Sequence, residues 1–322
     1  MAEKWTIGIC HPAYQIEPWL CEGLPSARIF QESTPENLGP RMAEVDILVI
    51  SGAWKDYLLN DATRLQWIQS ISVGINQFPL TELKGRQIRL TNAAGVNANA
   101  VSEHAMALVL SLTRRLGEAR DHQQRRFWRP MIADTQQREF ELKGKTLGIV
   151  GLGAIGNRLA ALAKAFGMMV IGTKRDPRVY HGPADEVLPA GKVDTLFDRS
   201  QIVVLACPLT ADTENLVGCD QLQRLGPQGY LINVARGAVV DETALVDSLM
   251  ESHIAGAALD VTVEEPLPEG SPLWGMPNVV ITPHTGGETA GYEAALTALI
   301  LENLGRLERK EPLRNEITCG SF

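Results

Sequence analysis

Cysteine is scarce and unpaired in this chain: Cys10, Cys21, Cys207, Cys219 and Cys319 are the five in 322 residues, with no CxxC spacing. An odd count without close pairs argues against a disulfide framework and offers no metal-ligand pattern, so the thiols are expected to be reduced and partly buried. Long apolar runs are missing as well. The longest, AMALVLSL at 105–112, is less than half of the roughly 18 residues that span a bilayer. The opening MAEKWTIGIC lacks the apolar stretch of a secretion signal. Basic residues are outnumbered, 30 Lys and Arg against 38 Asp and Glu, which argues against a surface built to grip phosphate backbones. These absences lead us to expect a cytoplasmic protein without a metal, a membrane or a nucleic-acid partner.

What remains is a globular composition, 45% hydrophobic and 21% charged, in a chain long enough for two domains. Neither short repeats nor low-complexity segments occur. Apolar runs at 6–10, 27–30, 46–50, 67–73 and 88–92 read as strands of a parallel sheet buried on both faces. From Val101 to Phe127 the spacing is helical, with Ser102 as N-cap, and an arginine-rich continuation ends at Pro130. A second alternation begins at TLGIVGLGAIG and has strands at 169–173, 202–208, 229–235, 257–261 and 279–284. A helix over 290–307 and a short strand-like end complete the chain. Two such blocks predict two α/β domains.

The motif GLGAIG at 151–156 follows a strand and opens a helix, the context that a dinucleotide fingerprint requires. Gly151 permits the tight turn, Gly153 the approach of a pyrophosphate and Gly156 close helix packing. Ala154 and Ile155 supply first-turn N–H groups that favour an anion. NAD enzymes place an acid about 20 residues on, for the ribose 2′-hydroxyl. Here that slot falls at about Lys174, within Thr173-Lys174-Arg175-Asp176. Lys174 and Arg175 would attract a 2′-phosphate and Thr173 adds a hydroxyl donor. The other reading gives Asp176 the NAD role, although it lies past the strand end and precedes Pro177. NADP(H) is therefore expected, with NAD(H) as the weaker alternative.

Three later segments each follow a strand: NVARGAVVDETAL with Arg236, ALDVTVEEPLP with Glu264 and Glu265, and ITPHTGG with His284. An arginine can grip a carboxylate with two parallel bonds, and a histidine can exchange a proton near neutral pH. At these residues the chain resembles the D-isomer-specific 2-hydroxyacid dehydrogenase family. The resemblance covers nearly the whole sequence, through LKGKTLGIVGLGAIG, LACPLTADTENLVG, LINVARGAVVDETAL, LDVTVEEPLP and SPLWGMPNVVITPH. Within the family it is nearest the NADPH-dependent glyoxylate/hydroxypyruvate and broad 2-oxoacid reductases.

The resemblance implies two Rossmann-like or flavodoxin-like domains with parallel sheets and the active site in the cleft between them. Residues 1–99, completed by 288–322, would bind substrate, and 100–287 would bind the dinucleotide. It implies a homodimer with the helix from Val101 at its interface, and a small 2-oxo or 2-hydroxy acid as substrate. Arg236 would hold the substrate carboxylate and polarise its C2 oxygen, His284 would be the acid/base, and Glu265 the partner of that histidine, leaving Glu264 to solvent. Val73 and Gly74 would offer backbone N–H groups to the carboxylate. Pro208, Thr213, Ala235 and Asp260 would lie along the cofactor, with Asp260 accepting from the nicotinamide carboxamide. Trp54 would line the substrate pocket, as would Trp274 and Met276. Two departures stand out: Gly286-Gly287 where Gly-Ser or Gly-Ala is usual, and Asn76 where many members have Asp. A dinucleotide-sensing regulator of the same fold and a phosphite dehydrogenase-like enzyme remain open, while Glu265 in place of Gln argues against formate oxidation.

Overall fold

The computed structural model describes residues 5–317, the side chain of Gln136 excepted. Cys319 and the first four residues lie outside the described residues. The chain divides into two compact units, Met1–Asn97 with Thr289–Phe322, and Ala98–Glu288.

The first unit is built on β1 (Thr6–Cys10), β2 (Arg28–Glu32), β3 (Ile47–Ile50), β4 (Trp67–Ser70) and β5 (Arg89–Thr91). All pair in parallel, in the order β2-β1-β3-β4-β5. β1, β3 and β4 are buried at every position. That is why they read as unbroken apolar runs rather than an alternation. The short helices α1 (Glu17–Gly23), α2 (Pro35–Leu38) and α3 (Leu80–Gly85) connect them. The strand expected over 67–73 stops at Ser70, and Ile71–Val73 leave the sheet as a loop.

The second unit opens with α4 (Ala98–Thr113) and α5 (Leu116–Gln124). The single helix expected from Val101 to Phe127 is thus two. Arg115 takes a left-handed conformation, φ +50°, which breaks the helical ladder where the buried stripe of α4 ends at Leu112 and Thr113. Ser102 lies inside α4, is fully buried and donates to the Asn99 carbonyl (2.9 Å), so it caps nothing. Then follow β6 (Thr146–Val150), α6 (Ala154–Ala165), β7 (Met169–Lys174) and β8 (Glu186–Pro189). Next come α7 (Val193–Asp198), β9 (Ile202–Leu205), α8 (Cys219–Leu225) and β10 (Tyr230–Asn233). α9 (Glu242–Met250), β11 (Gly256–Leu259) and β12 (Val279–Ile281) complete the unit. The seven-stranded parallel sheet has the order β12-β11-β10-β9-β6-β7-β8. Its crossover between β6 and β9 lies where the Gly-rich turn leaves β6, the position at which doubly wound sheets take ligands. One face of the sheet carries α4 and α6, interlocked through Ala105, Val109, Leu159 and Ala163.

The chain returns to the first unit as α10 (Tyr292–Glu308). Tyr292, Leu296, Ile300 and Leu304 recur every fourth residue and pack on Ile7, Ile9, Val49 and Trp67. Beyond α10 the expected terminal strand is a single antiparallel bridge, Thr91 to Glu316.

Candidate active site

At the end of β6, Gly151 has φ +103°, and a Cβ there would lie 2.9 Å from the backbone of Cys207. A Cβ on Gly156 would lie 2.2 Å from the Gly151 carbonyl oxygen. Any other residue at either place would force the helix off the turn. Gly153 caps α6, and its missing side chain would meet nothing within 4 Å. The first-turn N–H groups, including those of Ala154 and Ile155, have no intrahelical acceptor. An open backbone beside free N–H groups at a helix N-terminus suits a pyrophosphate.

Thr173 is only 3% exposed. Its hydroxyl accepts from the Gly151 N–H (3.1 Å) and its carbonyl from the Leu152 N–H (2.8 Å). It braces the glycine turn from beneath instead of reaching outward. Lys174 donates from Nζ to the Leu152 carbonyl (3.2 Å), and Arg175 is exposed. Asp176 is engaged by its neighbour: Arg178 donates from Nε (2.9 Å), Nη2 (2.9 Å) and its backbone N–H (3.1 Å). The Arg178 side chain thereby holds the Asp176 carboxyl below the usual aspartate range. After β9, Cys207 is buried and its thiol is pushed up to about 11 by burial. Pro208 is exposed. The Thr213 hydroxyl closes this loop on itself, donating to the Pro208 carbonyl (2.7 Å) and accepting from the Thr210 N–H (2.8 Å).

Arg236 follows β10 after Val234 and Ala235. The Asn233 side chain brackets its turn, donating to the Arg236 carbonyl (3.0 Å) and accepting from the N–H of Ala235 (3.0 Å), which is itself buried. The Arg236 side chain is exposed and donates to the Ala235 carbonyl (2.6 Å). Among the described residues it has no carboxylate partner. A Cβ on Gly237 would lie 2.0 Å from the Thr262 carbonyl group. The Arg236 turn therefore sits directly on the loop that leads to Glu265.

That loop is internally tied. Glu265 Oε1 accepts from the Thr262 N–H (3.2 Å) and the Thr262 hydroxyl donates to the Glu264 carbonyl (2.7 Å). Glu264 is exposed. Glu265 Oε2 lies 2.7 Å from His284 Nδ1. Nδ1 is thereby occupied, and Nε2 has no partner among the described residues. Both side chains remain open to solvent, 46% for His284 and 39% for Glu265.

His284 itself is left-handed, φ +55°, an uncommon conformation for a residue with a side chain. Asp260 holds it there. The Asp260 carbonyl accepts the His284 N–H (2.8 Å). Its Oδ1 accepts from the Thr282 hydroxyl (2.6 Å) and the Thr285 N–H (3.0 Å), and its Oδ2 from the Gly286 N–H (3.0 Å). His104, reaching over from α4, places Nε2 3.3 Å from Oδ1 and 2.9 Å from the Thr282 hydroxyl. Burial opposes charge on Asp260, but bonds from His104, Thr282 and Gly286 outweigh it and keep the carboxyl below the usual aspartate range. The Asp260 carboxylate thus serves first to hold the backbone around His284. His104 was not among the expected site residues. The available signal was a polar, partly buried histidine beside the apolar stripe of α4.

Trp54 is 5% exposed, packs on Phe78 and donates to Asp56 (2.9 Å), as part of the first unit's core. Trp274 is exposed and donates to the Pro268 carbonyl (3.0 Å), and Met276 packs on the second unit's core. In the first unit, Val73 is 41% exposed, and the N–H groups of Val73 and Gly74 donate to nothing among the described residues. No group of three or more His, Cys, Asp or Glu among the described residues could hold a metal. No helix among them is long and apolar enough to cross a membrane.

Two parallel-sheet α/β units, a Gly-rich turn at the sheet crossover, a joined Glu–His pair and an open arginine fit an oxidoreductase with a dinucleotide-binding domain. The family model described as D-isomer specific 2-hydroxyacid dehydrogenase, NAD binding domain, matches residues 106–286, and the chain belongs to that family. It is 36% identical to a glyoxylate reductase of Thermococcus litoralis, over 90% of this chain and 86% of that protein. It is 35% identical to glyoxylate/hydroxypyruvate reductase B of Pectobacterium carotovorum, over 82% of this chain and 83% of the relative. Among solved structures, an NADPH-dependent glyoxylate/hydroxypyruvate reductase of Sinorhizobium meliloti, in complex with NADP and malonate, superposes with a TM-score of 0.76. That match has 28% identity and covers 98% of this chain and 97% of the other.

Proposed function

We propose that this chain is an NADPH-dependent reductase of small 2-oxo acids, glyoxylate and hydroxypyruvate foremost, giving the D-2-hydroxy acid. The observation that carries the reading is the 2.7 Å contact of His284 Nδ1 with Glu265, which leaves Nε2 open. Bound NADPH would supply the hydride that C2 of the substrate receives. Nε2 of His284 delivers the proton that the developing alkoxide needs, and Glu265 holds the ring and balances the charge of the protonated imidazole. Arg236, without a carboxylate partner among the described residues, polarises the C2 oxygen and grips the substrate carboxylate. In the first unit, the N–H groups of Val73 and Gly74, open among the described residues, are donors suited to a carboxylate.

Preference for NADPH rests on Lys174 and Arg175 beyond β7, and on Asp176. An Asp176 carboxylate already held by three bonds from Arg178 is a poor acceptor for a ribose 2′-hydroxyl. The relatives named as glyoxylate and hydroxypyruvate reductases support the substrate class.

His284→Ala tests the mechanism. It should lower kcat by at least about two orders of magnitude, the usual scale of general acid–base help, with NADPH affinity, measured by fluorescence titration, unchanged. Turnover at the level of the unmodified protein would remove His284 from the chemistry.

A further inference from the structure

The loop after β4 presents the unpartnered N–H groups of Val73 and Gly74, and its carbonyls explain why. Tyr292, at the start of α10, donates its hydroxyl to the Ile71 carbonyl. The Ser72 carbonyl accepts from the Ser70 hydroxyl (3.0 Å) and the Ala93 N–H (3.1 Å). The Ser72 hydroxyl donates to the Gly74 carbonyl (2.9 Å) and is met by Ser51 at 2.5 Å. The Val73 carbonyl accepts from Asn92 Nδ2 (3.0 Å). Every carbonyl from 71 to 74 is therefore tied back to the first unit. Tying the carbonyls fixes the peptide planes, and each fixed plane aims its N–H the opposite way.

Of these ties, Asn92 is the one made by a side chain from beyond the next strand to the peptide that carries the Gly74 N–H. Asn92 is itself held on three sides. Its Oδ1 accepts from the Ala94 N–H (3.1 Å), its backbone N–H donates to the Asn315 carbonyl (3.2 Å), and its carbonyl accepts from Asn315 Nδ2 (3.3 Å). A donor so anchored does not follow the loop; the loop must come to it.

We propose that Asn92 is a positioning residue for substrate recognition: by locking the Val73 carbonyl it fixes the peptide plane that carries the Gly74 N–H and pre-aims that group at the carboxylate of the 2-oxo acid. The inference rests on the proposed function, in which that N–H binds a carboxylate. Asn92 touches no reacting atom, so its loss acts on binding and leaves the chemical step alone.

Two variants separate the lock from general folding. Asn92→Ala removes both side-chain bonds. Asn92→Asp keeps the Oδ1 acceptor for Ala94 and both backbone bonds, and turns only the donor into an oxygen facing the Val73 carbonyl. Both should raise KM for glyoxylate about tenfold or more, Asn92→Asp the most, with kcat within about threefold and NADPH affinity unchanged. Calorimetric binding of oxamate should weaken in parallel, and that of its uncharged ester, ethyl oxamate, should not. Unchanged KM and oxamate affinity in both variants would overturn the lock, as would an equal loss for oxamate and ester. If the unmodified protein binds oxamate no better than the ester, the carboxylate role of the loop fails instead.

Discussion

Replacing Asp260 by Asn tests how the catalytic loop is held. The substitution keeps size and shape and removes one charge. The carboxylate accepts from the Thr282 hydroxyl, the Thr285 and Gly286 N–H groups and His104, and is only 4% exposed. An amide has one oxygen. With that oxygen toward Thr282 and Thr285, the NH2 faces the Gly286 N–H, donor against donor; turned over, it faces two donors. One buried unsatisfied donor costs about 1–3 kcal/mol, and the lost charge assistance to the remaining bonds adds about 1 kcal/mol. The sum, about 2–4 kcal/mol, predicts a fall of about 5–15 °C in the melting of the unit that carries the site. Circular dichroism of the cofactor-free protein measures it. Because the same carboxylate holds the Thr285 and Gly286 N–H groups just after His284, kcat should fall at least about tenfold along with stability. The pH dependence follows from the depressed carboxyl. Its stabilisation is complete above the ordinary aspartate pKa of about 3.9 and is lost as pH falls through the lower folded value. The gap between the two proteins should therefore close in acid. An Asp260→Asn protein with unchanged melting and unchanged kcat would refute the reasoning.

Lys174→Asp should weaken NADPH binding far more than NADH, read as the ratio of kcat/KM for the two cofactors; equal effects on both would remove the 2′-phosphate assignment. Glu316 receives two bonds from Arg89 (2.7 and 2.6 Å) and the Leu313 N–H (2.9 Å), and Arg89 holds its carboxyl below the usual glutamate range. Glu316→Gln should cost about 1–2 kcal/mol in urea unfolding at pH 7. The difference should persist above the ordinary glutamate pKa of about 4.3 and vanish as pH falls through the lower folded value.

Much of the fold is legible wherever one kind of local signal dominates. β1, β3, β6 and β9 are apolar at nearly every position because both faces are buried. The Gly-rich turn is readable because its glycines answer to close approaches within a few residues. β8 was not anticipated: as the edge strand it is only half buried, and EVLP carries no apolar run. The break at Arg115 is equally silent, since a left-handed arginine has no composition signal. Thr173 and Lys174 are neighbours on one strand, so their side chains leave opposite faces. Counting along the sequence placed both at the 2′-phosphate, whereas the pleat sends Thr173 under the glycine turn. In the site, the Glu265–His284 contact spans 19 residues and was expected from the resemblance, whereas His104 meets Thr282 from 178 residues away. No local pattern encodes a contact of that separation. Trp54 carries no local signal that decides its role, because a tryptophan just past a strand end fits a pocket wall and a core equally well.

The most direct test of the central claim follows cofactor oxidation at 340 nm with glyoxylate and hydroxypyruvate, offering NADPH and NADH separately. The account predicts turnover with both acids and a higher kcat/KM with NADPH. Tight NADPH binding with no turnover of either acid would contradict it and leave a protein that binds the dinucleotide without reducing 2-oxo acids.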